Sequence, residues 1–106
     1  MSPVGREPGG TPPIPESARF ARKAGVIETD LETELVLLDP ATREMFSLNP
    51  SGRLVWMALQ GESAAGLADR ITMAFDVDRE RALADVRRIL GDLLAAGLVA
   101  PATDDA

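Results

Sequence analysis

Residues 34–50 of this chain read ELVLLDPATREMFSLNP, and no other stretch restricts the fold as much. The four-residue apolar run Leu35, Val36, Leu37, Leu38 is what a strand covered on both faces requires. Asp39-Pro40-Ala41-Thr42 then carries turn chemistry, because an Asp side chain accepts from nearby backbone N–H groups and Pro presets φ. Residues 43–48, REMFSL, form the next strand, with Met45 and Ser47 pointing one way and Phe46 and Leu48 the other. Two strands joined by so short a turn make a hairpin. Asn49-Pro50 then starts a helix: Asn is a good N-cap, and Pro at the first helical position loses an N–H that would be unpaired anyway.

The hairpin needs neighbours on both sides. Upstream, residues 19–29 (RFARKAGVIET) predict a strand or a broken strand pair, with Phe20, Val26 and Ile27 apolar and Gly25 able to kink it. It extends the hairpin to a three-stranded meander. Downstream, the first helix runs from about Pro50 to Leu59 and ends at Gly61; Leu54 to Leu59 are apolar nearly all round, so it should be largely buried, Trp56 included. The second runs from an N-cap at Ser63 to about Phe75, with Ala64, Leu67, Ala68, Ile71, Ala74 and Phe75 in one stripe. Asp76-Val77-Asp78 breaks it, and Asp78 caps a third helix over about 79–96. That helix carries two adjacent apolar lines, Leu83-Val86-Leu90-Leu93 and Ala82-Val86-Ile89-Leu93, more than one neighbour requires. Gly97 suits the position after its end, and Leu98-Val99 should tuck back as a short strand.

The expected fold is α+β: a three-stranded antiparallel sheet followed by three helices, winged helix-turn-helix-like in packing. Residues 1–18 hold five of the eight prolines and little apolar surface, so they are expected to be a disordered tail. The domain should span 19–100, and 101–106 should be a flexible tail.

The composition removes whole classes of chemistry. There is no Cys and no His among the 106 residues, which excludes thiolate nucleophiles, disulfides, iron–sulfur ligation, imidazole metal sites and His-dependent triads. The glycines form neither a GxGxxG nor a Walker-type pattern. With no plausible nucleophile–base pair, the chain is expected not to be an enzyme and to need no cofactor or metal. The net charge is −6, against the basic face that phosphate neutralisation demands. No run approaches the ~20 apolar residues of a bilayer span, and the N-terminus lacks a hydrophobic signal core. Nucleic-acid and membrane partners are therefore not expected, and a cytoplasmic location is.

The stretch ELVLLDPATREMFSLNPSGRLVWMALQGE resembles the hairpin and first helix of the PqqD-like family: a strand ending in L-D-P, a short turn, a strand ending in L-N, and a helix apolar before its Gly. The continuation SAAGLADRITMAFDVDRERALADVRRILGDLLAAGLV is similar to that family's second and third helices, with a D-V-D link and a closing G-L-V. The resemblance covers roughly residues 19–100. It implies a RiPP recognition element, a small domain that binds the leader of a ribosomally made precursor peptide and presents it to a modifying enzyme such as a radical SAM enzyme, a leader peptidase or a cyclase. It also implies that the leader adds as a strand beside the third strand, in the groove against the third helix. The turn DPATREMFSLN lacks the Pro-Glu-Gly type of the pyrroloquinoline quinone chaperone, so a generic or lasso-type member is the closer likeness.

The residues point to the same place without the family. In a meander ordered 1-2-3, strand 43–48 is an open edge, and Met45 to Ser47 carry no charge and no Pro to protect it. Strand addition uses such an edge. About five ladder bonds at roughly 0.5–1.5 kcal/mol net each are largely consumed in ordering a flexible peptide. Micromolar binding, about −8 kcal/mol, then needs buried apolar anchors as well. The expected peptide-binding residues are Glu44, Met45, Phe46, Ser47 and Leu48 on the strand with Ala82, Val86 and Ile89 on the third helix; Asp85 and Arg88 stand beside the groove to select charged residues. Glu28, Asp30, Glu32 and Glu34 read as a solvated turn. The competing class is a winged-helix DNA-binding regulator, for which Arg79, Arg81, Arg87 and Arg88 would be needed, but Glu80, Asp85 and Asp92 interrupt them.

Overall fold

The computed structural model describes residues 14–102. Strands precede helices in the order β1 (Arg19–Arg22), β2 (Ile27–Asp30), β3 (Leu35–Asp39), β4 (Glu44–Leu48), α1 (Pro50–Ala58), α2 (Ala64–Phe75), α3 (Arg79–Ala95) and β5 (Val99–Ala102). This is the expected α+β, winged-helix-like arrangement. The region 19–29 is a broken strand pair: Gly25 sits at φ +87°, a left-handed value open to glycine, and divides β1 from β2. The halves then part. β2, β3 and β4 form the antiparallel meander, while β1 pairs antiparallel with β5, Phe20 opposite Pro101.

That second, two-stranded sheet carries the chain to Ala102, taking in the first two residues of the expected loose tail. At the other end, Ile14 packs on the core and its carbonyl accepts from Arg87 Nε at 2.7 Å, so the chain joins the domain four residues before the expected boundary at 18. Residues 1–13 and 103–106 lie outside the described residues.

Each helix starts as its sequence dictates. Asn49, Ser63 and Asp78 accept from the backbone N–H of Gly52, Gly66 and Arg81, three residues on in each case. α3 closes with a Schellman motif: Gly97, at φ +76°, donates to the Leu94 carbonyl, and Leu98 N–H donates to that of Leu93. Leu98 and Val99 are thereby buried against the helices.

The core lies between the meander and the helices. Leu35 and Leu37 project from β3 toward Val55 and Trp56 of α1, Leu67 and Ile71 of α2, and Val86 and Leu90 of α3. Two expectations are corrected. α1 is not buried all round: Met57 is 40% exposed and Leu54 only half-buried, because α2 covers one flank of it. The α2 stripe ends at Ile71, leaving Ala74 and Phe75 exposed. Among the described residues no helix is long and apolar enough to cross a membrane.

Candidate functional site

β4 is one edge of the meander, and hydrogen-bond phase decides which of its groups are open. Leu31 N–H donates to the Glu34 carbonyl at 2.8 Å across the β2–β3 turn. Bonded and non-bonded pairs alternate along an antiparallel ladder, so Thr29↔Val36 and Ile27↔Leu38 are bonded pairs on that side. Val36 and Leu38 therefore spend their backbone groups on β2, and Leu35, Leu37 and Asp39 turn theirs toward Leu48, Phe46 and Glu44 of β4. It follows that the N–H and C=O groups of Met45 and Ser47 point away from the sheet, along the free edge.

Beside that edge, a cavity of about 180 Å³ opens between the end of β4 and α3. Leu48, Gly52, Ile89 and Leu93 supply its apolar lining, with Ser47, Asn49, Arg88 and Asp92 also at its wall. Gly52 keeps α1 close to the strand: a Cβ there would lie 3.1 Å from Leu48 Cβ. Asn49 is held by its cap to Gly52 N–H at 2.8 Å. Arg88 reaches Asp85 and Asp92 at 3.9 Å each, pairs too long and exposed to fix the side chain. Its charge remains available to a ligand in the cavity.

Of the residues expected from sequence, Ser47, Leu48, Arg88 and Ile89 meet at this cavity. Asp85 flanks it through Arg88. Glu44 stands exposed at the far end of β4, and Phe46 is half-buried toward the core. Met45 is 67% exposed, its register partner Leu38 lying on the face turned away from the helices, so its side chain does not join Ile89. Ala82 and Val86 are fully buried. The doubled stripe of α3 is spent mostly on its neighbours, α2 above all, with α1 and β5, and only Ile89 and Leu93 of it reach the cavity. Sequence reasoning missed Asn49 and Gly52 as wall residues, although the cap motif itself placed them next to the strand end. It also read Asp92 only as an interruption among the arginines of α3, and Leu93 only as a member of its apolar lines.

The four acidic residues before β3 are not a simple solvated turn. Trp56 Nε1 donates to Glu28 Oε2 at 3.0 Å, and Arg22 lies 3.7 Å from the same carboxylate, its guanidinium 5.6 Å above the indole. Arg53 donates two hydrogen bonds of 2.8 Å to Asp30. These bonds, with a further one from Glu32 N–H, lower the Asp30 pKa to about 2. Glu28 and Asp30 thus clamp β2 onto α1.

A larger groove, about 720 Å³, lies between α1 and α2, lined by Leu54, Met57, Met73 and Phe75 with Arg53 and Arg70 on its wall. Arg53 is held by Asp30 and Arg70 by Glu62 at 3.5 Å, and no strand edge borders it.

A family model described as coenzyme PQQ synthesis protein D (PqqD) matches residues 34–99. The chain belongs to the PqqD family. The matched segment holds β3, β4, all three helices and every wall residue of the β4–α3 cavity. Two solved structures resemble the whole domain. One is TbiB1 in complex with the TbiA(beta) leader peptide, 27% identical, with a TM-score of 0.70 over 78% of this chain and 98% of that one. The other is lasso peptide synthetase B1 complexed with the leader peptide, also 27% identical and with a TM-score of 0.70, over 79% of this chain and all of that one. Among curated proteins none matches the sequence.

Proposed function

We propose that this PqqD-family chain is a non-catalytic adaptor that binds the leader of a ribosomally made precursor peptide and presents it to a modifying enzyme. The leader adds as a strand beside β4, bonding to Met45 and Ser47, and sets one apolar side chain into the cavity walled by Leu48, Ile89 and Leu93. The observation that carries this reading is the open edge of β4 at positions 45–47, uncharged and with outward backbone groups, directly beside that cavity. Main-chain bonds supply affinity in such a mode, and the pocket supplies selectivity. The other edge, β2, is a poorer template: Glu28 and Asp30 occupy it and are committed to α1. The similarity to two leader-bound structures supports the same reading. The enzyme partner is of the kind that acts on leader-bearing peptides: a radical SAM enzyme, a leader peptidase or a cyclase.

The DNA-binding alternative has little to stand on. Arg79 is bonded to Asp69 and Glu16, Arg88 sits between two aspartates, and Arg87 donates to a carbonyl. Titration of a labelled chain with its cognate leader, followed by two-dimensional amide NMR, tests the proposal. Shifts concentrated at 44–48 and around Arg88–Leu93 are expected. Their absence at saturating peptide sinks it.

A further inference from the structure

The groove between α1 and α2 lies just across the first turn of α1 from the β4–α3 cavity. Asn49 and Gly52 wall the cavity, and their chain neighbours Pro50 and Arg53 wall the groove. Glu32 and Thr33, from the β2–β3 turn, line it too. That turn stands at the same end of the meander as the last residue of β4, because Leu35 is opposite Leu48. A chain that runs off the sheet beside Leu48 is therefore carried toward the groove.

The groove is apolar and uncovered. Met57, Met73 and Phe75 are 40%, 85% and 38% exposed, and Leu54 is half-buried. Its charges are spent on their own neighbours, Arg53 on Asp30 through two hydrogen bonds and Arg70 on Glu62. An apolar segment suits such a lining better than a charged one, which would be left without a partner. The two methionines, unbranched and polarisable, adapt to side chains of differing shape. At about 720 Å³ against about 180 Å³, the groove has room for more than the single side chain of the cavity.

We propose that this groove is a second subsite for the leader, holding an apolar side chain from the stretch N-terminal to the strand that adds to β4. The inference rests on the leader-binding reading above. Polarity follows from pairing. Antiparallel ladders are the more stable per residue, and a strand antiparallel to β4 has its N-terminal end beside Leu48. Residues before that end leave the sheet where Pro50 and the β2–β3 turn stand. They must skirt the first turn of α1, a helix being about 10–12 Å across with its side chains. At about 3.3 Å per extended residue, the groove anchor lies roughly four or five positions before the residue seated in the cavity. Once the strand is paired, that anchor binds at the high effective concentration of a tethered group.

Other occupants fit less well. The segment before β1 approaches the domain elsewhere: Ile14 and Glu16 are bonded to Arg87 and Arg79 of α3, a helix that does not line the groove. Against a second copy, the 11 lining residues fall well short of the roughly 20–30 a side of a stable interface.

Two peptides labelled with fluorescein at the C-terminus test this: the full cognate leader encoded beside this chain, and the same leader lacking everything before its strand-adding segment. Anisotropy should show wild type binding the full leader at least fivefold more tightly than the trimmed one. Met57→Gln/Met73→Glu should bind both with the affinity of the trimmed leader. Met73→Glu alone, at a side chain too exposed to matter to the fold, should already narrow the preference. Equal affinity of wild type for the two leaders overturns the proposal while the leader-binding reading stands. If neither leader binds, both fall. A wild-type dimer that the double variant dissolves gives the groove to a second copy and overturns the proposal. So does a nitroxide at Ser2→Cys, in a chain with no other cysteine, that broadens the Met73 and Phe75 amides without leader, which gives the groove to the chain's own N-terminal segment.

Discussion

Lys23 Nζ lies 2.7 Å from Asp39 Oδ2, tying the link between β1 and β2 to the last residue of β3. Asp39 is 2% exposed, a buried carboxylate at the start of the hairpin turn. Its other oxygen accepts from Ala41 N–H at 3.0 Å, which sets the turn itself. The Lys23 ammonium, aided by the turn amides, holds the carboxyl below its ordinary range. A carboxylate with a depressed folded pKa adds stability that is fully present above the unfolded value, ~4, and is lost as pH falls below that value and through the lower folded one. Asp39→Asn keeps an oxygen for Ala41 but gives up the charge. Its melting temperature should be lower than wild type at pH 7, and the gap should narrow progressively as pH falls below about 4. Thermal melts of both proteins across that range check this. Asp30 titrates in both proteins, so the difference isolates Asp39.

Gly52 packs the start of α1 tightly against the end of β4. A methyl group there meets Leu48 Cβ at 3.1 Å and Asn49 Oδ1 at 3.4 Å, atoms fixed by the strand end and by the helix cap. Gly52→Ala should therefore push α1 from β4, costing about 1 kcal/mol through overpacking, despite alanine's better helix propensity. The same displacement deforms the cavity wall. Leader affinity should fall several-fold, more than Ala84→Gly on the exposed face of α3 would cause. Urea denaturation and anisotropy on the two variants separate the effects.

Arg43 closes the β3–β4 turn at φ +65°, its N–H donating to the Asp39 carbonyl. A side chain in the left-handed region costs roughly 1–2 kcal/mol that glycine avoids, against the greater freedom glycine has when unfolded. Arg43→Gly should stabilise the domain by about 0.5–1 kcal/mol. A higher urea midpoint at unchanged slope is the expected outcome, and an unchanged or lower midpoint refutes it.

The fold was legible because its signals are local. Asn49-Pro50, Ser63, Asp78 and Gly97 each fix a helix end through one side chain or one backbone angle, and the structure uses all four as the sequence suggests. The alternation at 45–48 likewise sorted those side chains correctly onto two faces. What failed depended on partners distant in the chain. Val86 and Ala82 share a stripe with Ile89 and Leu93, yet only packing by the neighbouring elements decides that the first two are buried while the last two reach the cavity. Met45 was assigned to the groove because apolar residues at an edge look alike in sequence; the register with Leu38 sends it to the opposite face. β5 was half seen, since Val99 reads as a strand residue but the pairing partner, β1, lies 77 positions away at Arg22.

The edge itself is best tested by removing one backbone donor. Ser47 N–H is aimed along the open edge, whereas Phe46 is bonded to Leu37 within the sheet. Proline is tolerated on an edge strand where its nitrogen faces solvent and is destructive where a ladder bond is lost. Ser47→Pro should leave the melting temperature within a few degrees of wild type, while leader affinity drops at least tenfold, the loss of about 1.4 kcal/mol or more. Phe46→Pro should instead cost about 3 kcal/mol or more in stability and melt the hairpin. Differential scanning fluorimetry and leader anisotropy on the pair give the answer. If Ser47→Pro bound the leader normally, strand addition beside β4 would be wrong. If it unfolded while Phe46→Pro did not, the hydrogen-bond phase deduced from Leu31 and Glu34 would be inverted.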